Sequence, residues 1–327
     1  MRGQGRDRSI PTVGPSTSAA PTRRGHLGHV ATRYRVGGAL VVTLAAFGGL
    51  AFVLAGRRGQ FSTAVLTAPV WLLSIAVVLH LTSLVTRSEA WNLCVRAAGG
   101  STPRRIVFRA AGVGALASVL SAQIGAATRI GALRRTAPKT CPRLAVLVTA
   151  EVPIIAVEAM LAALFTFTLV APLDLPAWVP VLVVAGTASL ALGLRKLARC
   201  RRTGFWRGLA MAREFRGRGR LVGLVVLGVL AQVARNWLVL HAVGVHASVL
   251  DAIAVLIVSV SLSAVPVGAG VGAAATILIL GAHGVADTAA AGVLLTVTGT
   301  VAGLCYAVWA CGDHVLALAR SRRAALV

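Results

Sequence analysis

The sequence predicts an all-α membrane protein, a polytopic helix bundle with six spanning helices and two Gly-rich re-entrant hairpins. Of its 327 residues, 57% are hydrophobic and only 13% are charged, whereas soluble domains carry about 25% charged residues. The mean hydropathy is +0.83. Lysine and arginine total 33 against 9 acidic residues, and they lie almost wholly between long apolar stretches. This pattern excludes a soluble enzyme and indicates a membrane surface, with no nucleic acid, as the partner of the charge.

Six apolar windows are each long enough, at about 20 residues, to cross the hydrocarbon core of a bilayer. They cover residues 36–55, 65–86, 144–170, 178–194, 221–243 and 288–318. We predict a transmembrane domain over 36–318, between a disordered basic tail at 1–35 and a short basic tail at 319–327. No cleavable signal sequence is expected at Met1, so the first apolar helix would act as the insertion signal.

The distribution of basic residues predicts which loops face the cytoplasm. They cluster in 1–35, 87–109, 134–143, 195–220 and 319–327, whereas 171–177, 244–249 and 282–287 contain none. This rule places both termini in the cytoplasm of a multi-pass plasma-membrane protein and the segment 195–220 on anionic lipid. Arg57 and Arg58 conflict with it, because they fall in a loop placed outside.

Two further apolar segments, 106–133 and 250–281, are rich in Gly, Ala and Ser but too short for two full crossings. The charge rule predicts that 106–133 enters and leaves on the cytoplasmic side and that 250–281 does so on the outer side. Both contain Leu-Ser-Ala followed by Gly-Ala, which favours an inverted repeat with a substrate site where the repeats meet. Coincidence in a chain of this composition is the alternative.

The glycines of the two segments are candidates for hairpin backbone that lines a cavity, since lipid cannot satisfy irregular backbone. They are Gly125 in the first segment and Gly268, Gly270 and Gly272, after Pro266, in the second. Proline lacks an amide donor, and alternate glycines can turn backbone N–H groups towards a small anion such as phosphate. Close helix packing by small residues is the alternative.

Two arginines inside apolar segments are candidate head-group ligands. Arg235 lies within the fifth span beside Asn236, and Arg129 follows Gly125 in the first hairpin, where Gln123 is a further candidate. A helix-central arginine costs about 3 kcal/mol on insertion scales, so such residues face a cavity or a partner. A structural pair with a carboxylate is the alternative for Arg235, and snorkelling to the interface is the alternative for Arg129.

Glu151 and Glu158 are the carboxylates inside a long apolar stretch, seven residues apart on the third span and so on nearly one face. They could neutralise the arginines of an empty cavity, or take up protons as the cavity changes access. Glu151 could also lie near the interface and only cap a charge. Pro153 between them is expected to loosen the helix.

Neither a catalytic group nor a metal or cofactor site can be assembled from the sequence. His80, His241, His283 and His314 have no ligand spacing, so each is expected to be an interfacial or core residue. The five cysteines are unpaired in spacing and odd in number, which predicts neither disulfides nor a metal site. We therefore expect a protein that is not an enzyme and needs no cofactor.

The order of these features resembles the transmembrane region of lysylphosphatidylglycerol synthases and related flippase-like membrane proteins, over most of 36–318. Three pieces carry the resemblance: Arg87-Ser88-Glu89-Ala90-Trp91, Gly125 with Arg129, and Gly270-Val271-Gly272 after Pro266. It implies lipid translocation. The aminoacyl-transfer domain of the synthases is expected to be absent, because about ten residues follow the last span.

The sequence departs from the family pattern at two places. Ala126 and Ala275 stand where the family commonly has acidic residues, which implies either reliance on Glu151 and Glu158 or a different head group. We expect a protein that moves a phosphate-bearing lipid between leaflets, with membrane lipids as its partners. The alternative is a membrane enzyme, or an accessory subunit, that acts on a lipid-linked substrate.

Overall fold

Helices make up nearly all of the structure, a computed structural model that describes residues 58–119, 122–138, 140–170, 174–200, 217–263, 276–277, 279–280 and 285–324. The helices, numbered along the chain, are α1 (Arg58–Thr67), α2 (Val70–Ala97), α3 (Arg104–Ser118), α4 (Ala122–Thr136), α5 (Leu144–Thr149), α6 (Val152–Phe165), α7 (Trp178–Cys200), α8 (Arg218–Ala242), α9 (Val249–Ser263) and α10 (Val285–Ala324). A 3₁₀ turn, Thr166–Leu169, follows α6. The predicted all-α class is confirmed for this part of the chain, which contains no strand.

Among the described residues, four helical stretches are long and apolar enough to cross a membrane. They are Val70–Ala97, Leu144–Leu169, Arg218–Ala242 and Ala286–Gly312, and they match the predicted spans at 65–86, 144–170, 221–243 and 288–318. The predicted span 178–194 is helical within α7, but its apolar part, Trp178–Gly193, is shorter than a full crossing. Because 36–55 lies outside the described residues, six crossings remain a prediction.

Several helices, α2 and α10 among them, extend beyond the predicted spans. α2 continues past residue 86 to Ala97, because the charges that end the apolar window are neutralised: Arg87 pairs with Glu158, and Glu89 is bridged to two arginines. α10 continues past residue 318 to Ala324, so part of the predicted tail 319–327 is helical. Of the predicted basic segment 195–220, residues 201–216 lie outside the described residues, as does the tail 1–35.

α3 and α4 form a hairpin of two antiparallel helices within the segment 106–133. Each has 15 residues and so measures about 22 Å, less than the roughly 30 Å hydrocarbon core. Gly114 on α3 faces Gly125 and Arg129 on α4, and Thr102 Oγ1 donates to the carbonyl oxygen of Thr140 at the open end. The short paired helices agree with the predicted hairpin; its return to one side of the membrane stays a prediction.

Gly125 lets the two arms of this hairpin touch. A Cβ added to it would lie 2.7 Å from Cβ of Ser118 and 2.8 Å from the carbonyl oxygen of Gly114. Gly125 lies inside α4, so its contribution is close helix packing, the alternative that the sequence left open, since its backbone is regular helix.

Replacing Gly125 with alanine is therefore expected to lower the free energy of unfolding by about 1–3 kcal/mol, because the arms must separate. Gly131→Ala on the same helix is the matched control. A Cβ at Gly131 meets no atom within 4 Å, and alanine there should stabilise the helix by about 0.5–1 kcal/mol. Thermal unfolding of both variants in detergent measures the difference; equal midpoints would contradict the packing role.

α2 and α8 make the most extensive helix contact and run antiparallel. At one end Glu89 accepts hydrogen bonds from Arg220 Nη2 at 3.1 Å and from Arg104 Nε at 2.8 Å, so it joins α2, α8 and α3. Further along, Gly228 packs on Thr86, whose Oγ1 would lie 2.9 Å from an added Cβ. These contacts determine which residues of α2 and α8 face each other.

The third predicted span is broken in its first half. α5 ends at Thr149 and α6 starts at Val152, because Pro153 has no amide hydrogen to donate to the preceding turn. At the break, the amide of Glu151 donates to the carbonyl oxygen of Val148, three residues earlier, at 3.2 Å. The loosening predicted at Pro153 is thus a break between α5 and α6 at Glu151.

The described part of the second segment, 250–281, is dominated by α9. A capping box starts this helix: the amide of Ser248 donates to Asp251 Oδ2 at 2.8 Å, and the amide of Asp251 donates to Ser248 Oγ at 3.2 Å. The proposed glycine turn, with Pro266, Gly268, Gly270 and Gly272, lies outside the described residues. The second hairpin and the inverted repeat therefore stay predictions.

Candidate functional site

A cavity of about 430 Å³ lies between the first hairpin and helices α2, α6, α8 and α9. Its polar lining includes His80, Ser83, Arg87, Ser88, Arg129, Glu158 and Gln232. Its apolar lining includes Leu161, Phe165, Ile253, Leu256, Ile257 and Val260. The volume falls in the range of small-molecule sites, and the two kinds of wall make the space amphipathic.

Arg129 is the most constrained charge on this cavity. Its Nη2 donates to Glu151 Oε1, and its guanidinium carbon lies 4.4 Å from the ring centre of Trp91, a fully buried residue. Its side chain is 10% exposed, so it does not snorkel to an interface. Nε is itself buried and has no hydrogen-bond partner in the described part of the protein, and the Arg129 side chain is part of the cavity lining.

A second ion pair lies beside the first. Arg87 Nη1 donates to Glu158 Oε1, and both side chains line the cavity and are partly exposed to it. We call Arg87, Arg129, Glu151 and Glu158 the charge cluster. Its formal charges sum to zero, because the two carboxylates on the third predicted span balance the two arginines on α2 and α4.

Arg235 organises a separate polar group with His80, Gln232 and Thr298, which we call the Arg235 group. Its Nη1 lies 3.1 Å from His80 Nδ1 and 3.2 Å from Gln232 Oε1, and its Nη2 donates to Thr298 Oγ1 at 3.1 Å. Nη2 also donates to the carbonyl oxygen of Leu295. Because arginine can only donate, Nδ1 of His80 accepts in this arrangement.

The structure brings together some of the predicted site residues and separates others. Arg129, Gly125 and Glu158 line the cavity, and Glu151 lies behind Arg129. Arg235 reaches the cavity through Gln232 and His80, with no carboxylate partner among the described side chains. The sequence predicted one head-group site with both arginines, whereas the structure gives each arginine its own set of partners.

The remaining candidates have less direct positions. Asn236 is buried beside Arg235 and is not among the described lining residues. Gln123 is exposed near the tip of the hairpin and is likewise absent from that lining. The described residues contain no group of three metal-ligand side chains.

Neutral polar residues were missed by the sequence reasoning. His80 was expected to be interfacial or core, yet it lines the cavity together with Ser83 and Gln232, whose Nε2 donates to Ser83 Oγ at 3.1 Å. Gln232 could have been found, because it precedes Arg235 by one helical turn on an apolar span. Tyr306, which donates to Ser88 Oγ at 2.7 Å, gave no comparable signal.

Four long apolar helices around an amphipathic cavity with buried charge define a polytopic integral membrane protein. Residues 35–308 match the model of the family described as the lysylphosphatidylglycerol synthase TM region. The chain belongs to this family, a membrane domain often found in flippase-like proteins. No curated protein and no solved structure matches it significantly.

Proposed function

We propose that this protein moves a lipid with a phosphate-bearing head group between the leaflets of the plasma membrane, without changing it covalently. The head group occupies the cavity and the acyl chains remain in the bilayer. The observation that carries the proposal is the cavity itself. Its volume is about 430 Å³, and its lining contains both Arg129 and Arg87 and the apolar residues Leu256, Ile257 and Val260.

The polar wall suits a phosphate. A guanidinium has five N–H donors in a planar fork that matches phosphate oxygens, and Glu151 accepts from Nη2 of Arg129. Inside a dry site such charge-assisted hydrogen bonds are roughly twice as strong as neutral ones. In this proposal Arg129 is the first head-group ligand.

The apolar wall suits the start of an acyl chain. Residues of α6 and α9 supply it, and Val260 is both a lining residue and 56% exposed. Ser118 and Ala122, at the tip of the hairpin, are also exposed lining residues. A lipid can therefore insert its head between the hairpin tip and α9 while its tails stay outside, which spares the charged head a passage through bare hydrocarbon.

Exchange of labelled lipid in vesicles tests the proposal. The purified chain is reconstituted with an acyl-labelled phosphodiester lipid or with a matched lipid whose head is a neutral sugar, and the label of the outer leaflet is destroyed chemically. We expect protein-dependent exchange of the phosphodiester lipid that is at least about tenfold faster than that of the sugar lipid.

Two results would contradict the proposed transport. Equal lipid exchange with and without the protein would show that the protein does not transport this lipid, and a new lipid product in the mass spectrum of the same vesicles would support the membrane-enzyme alternative.

We also propose that both termini lie in the cytoplasm. Cysteine labelling from one side of sealed cells tests this orientation.

A further inference from the structure

Arg235 carries a buried positive charge that no described carboxylate neutralises. It lies within α8 and is 7% exposed. The carboxylates that form described ion pairs, Glu89, Glu151 and Glu158, are bound to other arginines, and Asp251 caps α9. Residues 264–284 contain no Asp or Glu, so that segment of the sequence cannot supply one.

Neutral acceptors hold the guanidinium in place. Thr298 Oγ1, the Leu295 carbonyl oxygen, Gln232 Oε1 and His80 Nδ1 all accept from it. Gly299 leaves room for it, because an added Cβ would lie 3.1 Å from Arg235 Nη2. These groups orient the charge and solvate it without cancelling it, and Nε is buried with no described partner. A buried cation without a counter-charge in a spanning helix is costly, and a bound anion would lower that cost.

The cavity reaches the near side of this group. His80, Ser83 and Gln232 line the cavity, so an anion inside it meets the amide and imidazole that cover Arg235. On α2, His80 precedes Arg87 by seven residues, which corresponds to about 10 Å along the helix. The Arg235 group and the charge cluster are therefore two positions at different depths along one cavity wall.

The two positions differ in net charge. The charge cluster sums to zero, whereas the Arg235 group keeps one positive charge. An oxyanion that leaves Arg129 therefore moves towards more positive potential when it approaches Arg235. The difference in formal charge favours the position next to Arg235 for a phosphate.

We propose that the Arg235 group is a second anion site, which binds an oxyanion of phosphate type once Gln232 and His80 turn aside. The oxyanion is either the phosphate of the lipid head group or free phosphate. The lipid route rests on the proposed function, in which the head group is first held at Arg129. The anion site itself does not depend on that function.

The first test uses inorganic phosphate as the probe on the full chain in detergent. To remove the Arg129–Glu151 ion pair of the charge cluster, Arg129→Gln and Glu151→Gln are combined, and thermal unfolding is followed while sodium phosphate replaces sodium gluconate at constant ionic strength. We expect phosphate to raise the unfolding midpoint by about 3 °C, and Arg235→Gln added to this background to abolish the rise.

The second test measures the lipid route in otherwise unaltered protein. Arg235→Gln should slow leaflet exchange of a phosphodiester lipid at least about tenfold, while binding of the same lipid in micelles stays within about threefold, because Arg129 still holds it. Gly299→Ala keeps the charge of Arg235 but crowds its Nη2 atom, so this variant replaces Arg235→Gln if Arg235→Gln does not fold. Gly299→Ala should also slow lipid exchange.

The outcomes separate the proposals. If phosphate raises the unfolding midpoint but Arg235→Gln leaves lipid exchange unchanged, the site binds free phosphate and the lipid route is wrong. If phosphate raises the unfolding midpoint of a protein that exchanges no lipid, the anion site stands and the proposed function is wrong. Absence of the rise together with unchanged exchange in both Arg235→Gln and Gly299→Ala overturns the second site altogether.

Discussion

Replacing Arg129 and Glu151 together with glutamine is expected to abolish lipid exchange while the protein stays folded. Arg129 supplies the buried guanidinium on the cavity, and Glu151 is its ion-pair partner. Without the guanidinium, the phosphate loses its charged ligand, and we expect exchange to fall about 100-fold, which corresponds to about 2.7 kcal/mol of barrier. Vesicle exchange of the phosphodiester lipid measures the loss.

The double substitution is needed because Arg129→Gln alone would change both lipid binding and protein stability. Arg129→Gln alone leaves Glu151 as an unpaired buried carboxylate, which costs about 3–5 kcal/mol in stability. Removing both charges leaves two neutral amides and no unpaired buried charge, so the free energy of unfolding should fall less than in Arg129→Gln alone.

Arg134→Gln is the matched control, since Arg134 lies on α4 but is exposed. It should exchange lipid at the normal rate. Normal exchange in the double variant would remove Arg129 from the mechanism and, with it, the assignment of the cavity's polar wall.

Filling the cavity with an indole is expected to block exchange without removing any charge. Ala162 lies on α6 and lines the cavity, so Ala162→Trp places a large ring where the acyl chain begins. We expect leaflet exchange to fall at least about tenfold. Binding of the lipid in micelles should weaken in parallel, since the ring and the lipid compete for the same space.

Ala159→Trp provides the control on the same helix. Ala159 is exposed and is not among the described lining residues, so its ring should lie in the bilayer and leave exchange unchanged. If both variants exchange lipid equally well, or if only Ala159→Trp is inactive, the lipid takes another route along the protein.

The helical class and most helix positions followed from hydropathy, but helix lengths did not. The window for the second span ended at residue 86 because Arg87 and Glu89 are charged, whereas α2 continues to Ala97. Both charges are neutralised by residues far along the chain, Glu158 for Arg87 and Arg220 for Glu89. A sequence window contains no such partner, so it ends a helix too early.

Four charged residues of the site were predicted from the sequence, whereas Arg87 and the neutral residues His80, Ser83 and Gln232 were not. Arg129, Arg235, Glu151 and Glu158 stood out because charge is costly in an apolar segment. The structure pairs Glu151 with Arg129 and gives Arg235 neutral acceptors instead. Which partner each charge takes depends on helix packing, which spacing along one helix does not determine.

The role of Gly125 illustrates the same limit. The residue was correctly singled out, but a glycine in a sequence fits both a cavity-lining turn and a close helix contact. The 2.7 Å between an added Cβ and Ser118 Cβ identifies the helix contact, and Gly125 lines the cavity from within a regular helix and not from a turn. That contact depends on Ser118 of the opposite arm, so only the folded hairpin reveals it.

Head-group crosslinking tests most directly whether the cavity carries the lipid. A phosphodiester lipid with a photoreactive group beside its phosphate is reconstituted with the full chain, irradiated and mapped by peptide mass spectrometry. The account predicts adducts on the cavity wall, at Ala126, Leu161 and Gln232, and fewer adducts when unlabelled lipid competes. Adducts confined to exposed, non-lining residues such as Val78, Ile155 and Leu164 would place the head group outside the cavity and contradict the account.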